Sequence, residues 1–204
     1  MKINTAKLHR RPLLWIISII SIAVFIVMFY YYPNEFVGGR MLYELGLDKY
    51  RQGDHRDYDD WDKMKRAAFY FEKALNKGYV NRDMYARLSH CYWILRDTLN
   101  TERVYTLGIE QYPKDAEFHF YRGDCRKYLK NFRGAFMDYD SVIKLNPKSE
   151  YIKDAYYSRG AMSYLLGDTV SANRDRFQVK KLAGFDWRTY KDYCRLWHLE
   201  AVSK

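Results

Sequence analysis

The chain has 204 residues, of which 48% are hydrophobic and 29% charged, and a formal net charge of +10. This length and composition allow one folded region and exclude both a low-complexity disordered chain and two full-sized domains. The basic residues form no dense run, so charge alone gives no reason to expect a nucleic-acid partner.

The first predicted element is a transmembrane helix over residues 13–32, which contain no charged side chain. A helix of this length rises about 30 Å, which is the thickness of the hydrocarbon core of a bilayer. Residues 1–12 are basic without any acidic residue, which predicts a cytoplasmic N-terminus and extracytoplasmic placement of the rest, in the periplasm if the cell is bacterial. The alternative is a cleaved secretory signal ending near residues 36–39, but the apolar run is longer than in such signals.

After this segment, residues 39–186 repeat one pattern with a period of about 34 residues. A small residue on a first helix is followed by alanine on a second helix, an aromatic residue four positions later, and a terminal proline. The third copy shows the pattern as Gly123, Ala135, Tyr139 and Pro147. A period of this size is typical of stacked helical hairpins, and these positions resemble the tetratricopeptide repeat (TPR) family.

The resemblance implies an all-α fold, in which the transmembrane helix precedes an α-solenoid of about four TPR-like hairpins and a C-terminal capping helix. The first hairpin fits only if an insertion is allowed before Ala67, and the fourth has Arg176 in place of the aromatic residue. An aromatic stripe from Trp187 to Trp197 marks the predicted cap, with a docking face as the alternative interpretation. The predicted hairpins cover residues 39–81, 82–115, 116–149 and 153–186, and the cap and tail cover residues 187–204.

The resemblance also implies a concave groove, lined by fixed positions on each first helix. Most residues at these positions are aromatic or acidic, and Tyr and Trp provide contact area in peptide-binding surfaces. We therefore predict that the groove binds a peptide or helix of a partner protein, with basic residues of the partner facing the acidic ones. The predicted partner-binding residues are Tyr43, Tyr50, Asp83, His90, Trp93, Phe120, Asp124, Lys127, Asp154, Tyr157 and Tyr164.

An alternative interpretation of these residues is purely structural. Asp83 and Asp154 lie in first turns of predicted helices, where a negative charge stabilises the helix dipole without any ligand. Tyrosine is also common in the packing of this repeat. A subset of the family grips C-terminal carboxylates with Lys and Asn at groove positions, and this sequence lacks that arrangement.

The predicted function is that of a membrane-anchored protein-interaction scaffold or adaptor. Its layout resembles bacterial inner-membrane members of the family that assist secretion or envelope assembly. One alternative is a structural subunit of a membrane complex that self-associates through its convex side or the Trp187–Trp197 stripe. Another is the reversed topology, with cytoplasmic repeats like those of an organelle import receptor.

No catalytic residue, cofactor or metal is predicted. The sequence contains no H-E-x-x-H, nucleophile-elbow or phosphate-loop motif. The acidic run at residues 54–66 lacks the glycine and the bidentate glutamate of a calcium loop, so it is interpreted as a solvated loop or helix end. Cys91, Cys125 and Cys194 have no metal-site spacing and are predicted to be buried free cysteines.

Overall fold

The computed structural model describes residues 10–31, 37–53 and 61–199. The described residues form ten helices and no strand, which confirms the predicted all-α fold. The helices are α1 (Arg10–Tyr31), α2 (Gly39–Gln52), α3 (Trp61–Asn76), α4 (Arg82–Ile94), α5 (Thr98–Gln111), α6 (Ala116–Tyr128), α7 (Phe132–Leu145), α8 (Ile152–Leu165), α9 (Thr169–Ala183) and α10 (Tyr190–Leu196).

Eight of these helices form a solenoid of hairpins. The pairs α2–α3, α4–α5, α6–α7 and α8–α9 each pack together, and the second helix of each of the first three pairs packs on the first helix of the next pair. The first helices α2, α4, α6 and α8 therefore form one face of the stack, which we call the first-helix face. This face corresponds to the predicted concave groove.

Short polar residues begin most of the solenoid helices. Their side chains accept hydrogen bonds from backbone N–H groups of the first turn, which otherwise have no intrahelical partner. At α6, for example, Asp115 accepts from the N–H groups of Glu117 and Phe118 at 3.1 and 3.2 Å. The other capping residues of this kind in the solenoid are Asn81, Asp97, Asn131 and Asp168.

Glycine and an aromatic residue meet inside the first and third hairpins. A Cβ atom added to Gly46 would lie 2.6 Å from the Phe71 ring, and one added to Gly123 would lie 2.9 Å from the Tyr139 ring. Any side chain at these glycines would force the rings to move. The aromatic rings themselves are completely buried. These contacts explain why the repeat pattern pairs a small residue with an aromatic one.

Buried ion pairs connect the two helices of the third and fourth hairpins. Arg122 of α6 donates to Asp138 of α7 at 2.6 Å, and Arg159 of α8 donates to Asp175 of α9 at the same distance. Both aspartates are nearly inaccessible to solvent. A buried carboxylate is unfavourable unless its charge is paired. Each arginine therefore stabilises the fold by compensating the charge of its aspartate.

Among the described residues, none of the helices combines the length and the apolar character needed to cross a membrane. The structure describes the predicted span over residues 13–32 only in part. Residue 32 and the side chains of residues 13, 14, 16, 25 and 29 lie outside the described part of the chain. Most of the predicted cytoplasmic segment, most of the 54–66 acidic run and the end of the predicted tail also lie outside, at residues 1–9, 54–60 and 200–204.

Candidate partner-binding groove

The fourth hairpin obtains its missing aromatic residue from the C-terminal segment, residues 184–199. Arg176 occupies the position that Phe71 and Tyr139 hold in other hairpins. Instead, Tyr190 of α10 lies against Gly160, where an added Cβ atom would overlap the tyrosine hydroxyl. The same hydroxyl donates to the carbonyl oxygen of Ala172 at 3.1 Å. Tyr190 is only 5% exposed, so the C-terminal segment is an integral part of the fourth hairpin.

From this contact the C-terminal segment extends over the first-helix face. The Tyr157 hydroxyl of α8 donates to the carbonyl oxygen of Arg188 at 2.9 Å, and the Tyr157 ring lies 4.8 Å from that of Trp187. Further along, the ring of Trp197 lies 5.8 Å from that of Tyr128 on α6. The segment thus reaches back from the fourth hairpin to the third.

The predicted cap, residues 187–204, contains one short helix among its described residues. This helix, α10, has seven residues and packs on α8, with Tyr193 contacting Lys127 of α6. Tyr190, Tyr193 and Cys194 of α10 face inward and are buried, whereas Trp197 at the end of the stripe is 45% exposed. This arrangement covers part of the predicted groove with the protein's own chain.

The described residues form two clefts on the first-helix face. Cleft one has a volume of about 510 Å³ and is bordered mainly by α4 and α6, with Tyr50 of α2 at one side. Cleft two has a volume of about 760 Å³ and lies between α6, α8 and the C-terminal segment. Among the predicted groove residues, those that line cleft one are Tyr50, Asp83, His90 and Trp93, and those that line cleft two are Phe120, Lys127, Asp154 and Tyr157. Asp124 lines both clefts, whereas Tyr43 and Tyr164 line neither.

Four of the predicted groove residues are buried by neighbouring parts of the chain. Lys127 and Tyr157 are covered by the C-terminal segment. Phe120 stacks on Tyr151, with ring centroids 4.9 Å apart. Tyr43 packs against aromatic side chains of its own hairpin region. Their positions on the first helices were predicted, but not the chain segments that cover them.

Polar side chains give cleft one a mixed character. The Tyr50 hydroxyl lies 2.9 Å from Nδ1 of His90. Arg87, which sequence reasoning missed, donates to Asp83 at 2.6 Å and places its guanidinium 5.0 Å from the Tyr50 ring centroid. Trp93 stands at the edge of the cleft and is 44% exposed. The cleft therefore offers aromatic surface beside charges that are already paired.

The three predicted acidic groove residues differ in their partners. Burial raises the pKa of Asp83, but hydrogen bonds from Arg87 and Tyr43 outweigh it, so the net shift of this pKa is downward. Asp124 accepts from Lys127 at 2.6 Å and from Tyr139 at 2.8 Å. Asp154 has no hydrogen bond or ion pair among the described side chains. Although its carboxylate is accessible, partial burial raises its pKa; the charge of Lys153 opposes this shift, and the smaller effect of the Asp124 charge adds to it.

Lys127 shows how cleft two holds a cation from its own chain. Its ammonium group lies 4.9 Å from the ring centroid of Tyr128 and 5.3 Å from that of Trp197. Burial has the largest single effect and lowers the pKa of this lysine. The charge of Asp124, the neighbouring Tyr193 and the hydrogen bond to Asp124 together outweigh burial, so the net shift of this pKa is upward. The lysine therefore remains charged inside an aromatic enclosure.

The residues that the structure describes contain no cluster of side chains suited to a metal ion. The three cysteines are free and buried. Burial raises the pKa of Cys91 and that of Cys125 to about 12, so these thiols are poor nucleophiles at neutral pH.

Comparison with known proteins supports a TPR-like fold. YrrB, a TPR protein described as having an unusual peptide-binding site, is 21% identical over 62% of this chain and 64% of its own, with a TM-score of 0.53. A TPR protein from Parabacteroides merdae is 20% identical over 84% of this chain and 62% of its own, with a TM-score of 0.58. The chain thus spans less than two thirds of either protein. No family model and no curated protein matches the sequence.

Proposed function

We propose that this chain is a membrane-anchored protein-interaction scaffold that holds a peptide or helix of a partner protein in cleft one. The TPR-like fold supports an interaction role, and cleft one carries the assignment to this part of the face. Its volume is in the range of ligand-binding clefts, and the C-terminal segment does not line it. We propose no enzymatic activity.

The side chains of cleft one suit a partner segment with large apolar or aromatic residues. The exposed Trp93 ring packs beside the Tyr128 ring, with ring centroids 5.7 Å apart. Trp and Tyr commonly dominate the binding energy of interfaces because they bury a large area at little entropic cost. The paired charges at the rim, such as Asp83 with Arg87, provide orientation for the polar groups of the segment.

Photo-crosslinking would test this assignment directly. A photoreactive amino acid replaces Trp93 in the full chain, in native membranes, and the adducts are identified by mass spectrometry. We expect one or two discrete protein adducts. The matched control replaces Met137, which is 62% exposed and lies on a second helix. Adducts from Met137 alone would contradict binding in cleft one and would favour a convex-side interface.

Membrane anchoring through residues 13–32 forms the second part of the proposal. It rests on the uncharged sequence of this segment and on the basic residues before it, which favour a cytoplasmic N-terminus and extracytoplasmic repeats. Anchoring would keep the scaffold concentrated near membrane partners, so that weak contacts suffice. The resemblance to envelope proteins makes secretion or envelope assembly the proposed setting.

Two aspartates in this segment should release the chain from the membrane. An acidic residue near the centre of a span costs about 2.5–3.5 kcal/mol, so Ile19→Asp with Ile22→Asp opposes insertion strongly. We expect the wild-type chain to stay in the membrane pellet after alkaline carbonate extraction and the double variant to leave it. Equal retention of both would refute the anchor. Alkaline phosphatase fused after Lys204 reports the side: activity supports extracytoplasmic repeats, and inactivity the reversed topology.

The Trp187–Trp197 stripe is only partly available for self-association. Trp187 and Tyr190 contact Tyr157 of the same chain, and Tyr190 is buried, whereas Trp197 is 45% exposed. A self-associating subunit would therefore use its convex side or the exposed end of the stripe. Sedimentation of the full chain over a range of concentrations distinguishes the two functions, because a scaffold for other proteins does not require a second copy.

A further inference from the structure

Cleft two brings a carboxylate without a partner together with aromatic rings. Asp154 and Tyr157 are three residues apart on α8, so their side chains lie on the same side of the helix. Phe120 and Trp187 line the same cleft. Within the described part of the chain, the buried indole N–H of Trp187 has no hydrogen-bond partner. The cleft thus presents the carboxylate of Asp154 and several ring faces, beside the carboxylates of Asp124 and Asp186, which are paired with lysines.

The neighbouring Lys127 shows that this cleft can stabilise a cation with the same types of group. Its ammonium donates to Asp124 at 2.6 Å and to the Tyr193 hydroxyl at 3.2 Å, and it lies close to the Trp197 ring. A carboxylate and ring faces together attract a cation more strongly than either alone, because both present negative potential in a place that is partly shielded from water.

We propose that Asp154 and the rings beside it bind a lysine or arginine side chain of the partner segment. This inference rests on the proposed function, since the same segment would extend from cleft one into cleft two. Of the three acidic groove residues, Asp154 is the one whose charge is not already matched by Lys127 or Arg87. A basic side chain would supply that charge, and its aliphatic stem would lie against the aromatic rings.

Arg188 is the competing cation within the cleft. It lines cleft two, and its carbonyl oxygen is held by Tyr157, but in the described structure no ion pair joins its guanidinium to Asp154. Its positive charge would repel an incoming basic side chain. Replacing Arg188 by glutamine should therefore leave the binding of a basic side chain intact or tighten it. Weaker binding would instead indicate that Asp154 forms a structural pair with Arg188.

The test uses the full chain in detergent micelles with ¹⁵N-labelled tryptophan. The probes are N-acetyl-arginine amide, N-acetyl-lysine amide and the neutral citrulline counterpart of the first. We expect the two basic probes to shift the Trp187 indole signal, with affinity at least about tenfold higher than for citrulline. Asp154→Asn should abolish this preference. Asp62→Asn, at an exposed aspartate also in a first turn, should leave it unchanged.

Equal binding of citrulline and arginine, no response to any probe, or an unchanged preference in Asp154→Asn would overturn the inference. The crosslinking experiment at Trp93 keeps this outcome separate from the proposed function. Suppose that the probe at Trp93 captures a partner and that Asp154→Asn weakens neither this capture nor the response to the basic probes. The cation site at Asp154 is then wrong, while the proposed function stands. If the probes bind as expected but Trp93 captures nothing, the proposed function fails while the cation site stands.

Discussion

Replacing Tyr139 by alanine should lower the free energy of unfolding by about 3–5 kcal/mol, as expected for a large aromatic residue in a core. Tyr139 is completely buried and lies against Gly123 and Phe120. Loss of the ring would leave a cavity, because the neighbouring Gly123 has no side chain that could fill the space. It would also remove the hydroxyl that donates to Asp124 at 2.8 Å. Urea unfolding of the full chain in micelles, followed by circular dichroism, measures the change.

Two matched variants divide this effect into its parts. Tyr139→Phe keeps the ring and loses only the hydroxyl, so we expect a loss of about 1 kcal/mol. Tyr164→Ala removes a tyrosine that is 36% exposed on a first helix and should cost clearly less than Tyr139→Ala. If Tyr139→Ala cost no more than Tyr164→Ala, the ring would not be the central packing element of the third hairpin.

The second large effect is expected for Asp138→Asn, at about 3 kcal/mol near neutral pH. Asp138 is 2% exposed and accepts from Arg122 at 2.6 Å and from Arg126 at 2.9 Å. Asparagine has nearly the same shape but no charge, so both arginines would lose their buried counter-ion. Removing one member of a buried pair is costly because the other charge remains without compensation. Urea unfolding at pH 7 gives the value.

The pH dependence of the same variant provides a second test. Burial raises the pKa of Asp138, but its contacts with His119, Arg122 and Arg126 outweigh burial and lower the pKa overall. A lowered folded-state pKa stabilises the protein above the unfolded value, about 3.9, and this contribution disappears as the pH falls through the folded value. The difference between wild type and Asp138→Asn should therefore shrink below about pH 4. A difference that is constant from pH 7 to pH 3 would contradict a charge effect, and Asp62→Asn should show little difference throughout.

The hairpins could be predicted because their packing follows from local spacing. A small residue, an alanine and an aromatic residue recur on successive helices, and the structure brings Gly123 and Tyr139 together as the pattern requires. The position of the C-terminal segment could not be predicted in this way. Residues 184–189 are not helical, so no periodicity relates α10 to the preceding helix. Only the unusual Arg176 indicated that the fourth hairpin needs an aromatic residue from elsewhere.

Helical spacing in the sequence indicates some of the ion pairs in the groove. Asp83 has Arg87 four residues later, and Asp124 has Lys127 three residues later, which are spacings that favour ion pairs. Asp154 is followed at these distances by Tyr157 and Ser158, so the sequence shows that it has no cation three or four residues later to form such a pair. The burial of Lys127 was not visible, because it depends on Tyr193 and Trp197 of the C-terminal segment.

The placement of the C-terminal segment against α8 forms one wall of cleft two, and one nuclear Overhauser measurement tests this placement most directly. In full-length protein labelled selectively at glycine and tyrosine, the α-protons of Gly160 should show a strong effect to the ring protons of Tyr190. The Tyr190 hydroxyl and its ring carbon occupy the space that a Cβ atom on Gly160 would take, with the ring carbon 2.6 Å from that position. The same experiment should connect Gly123 with Tyr139 as an internal reference. Observation of the reference without the Gly160–Tyr190 effect would contradict the account, since the C-terminal segment would then neither complete the fourth hairpin nor border cleft two.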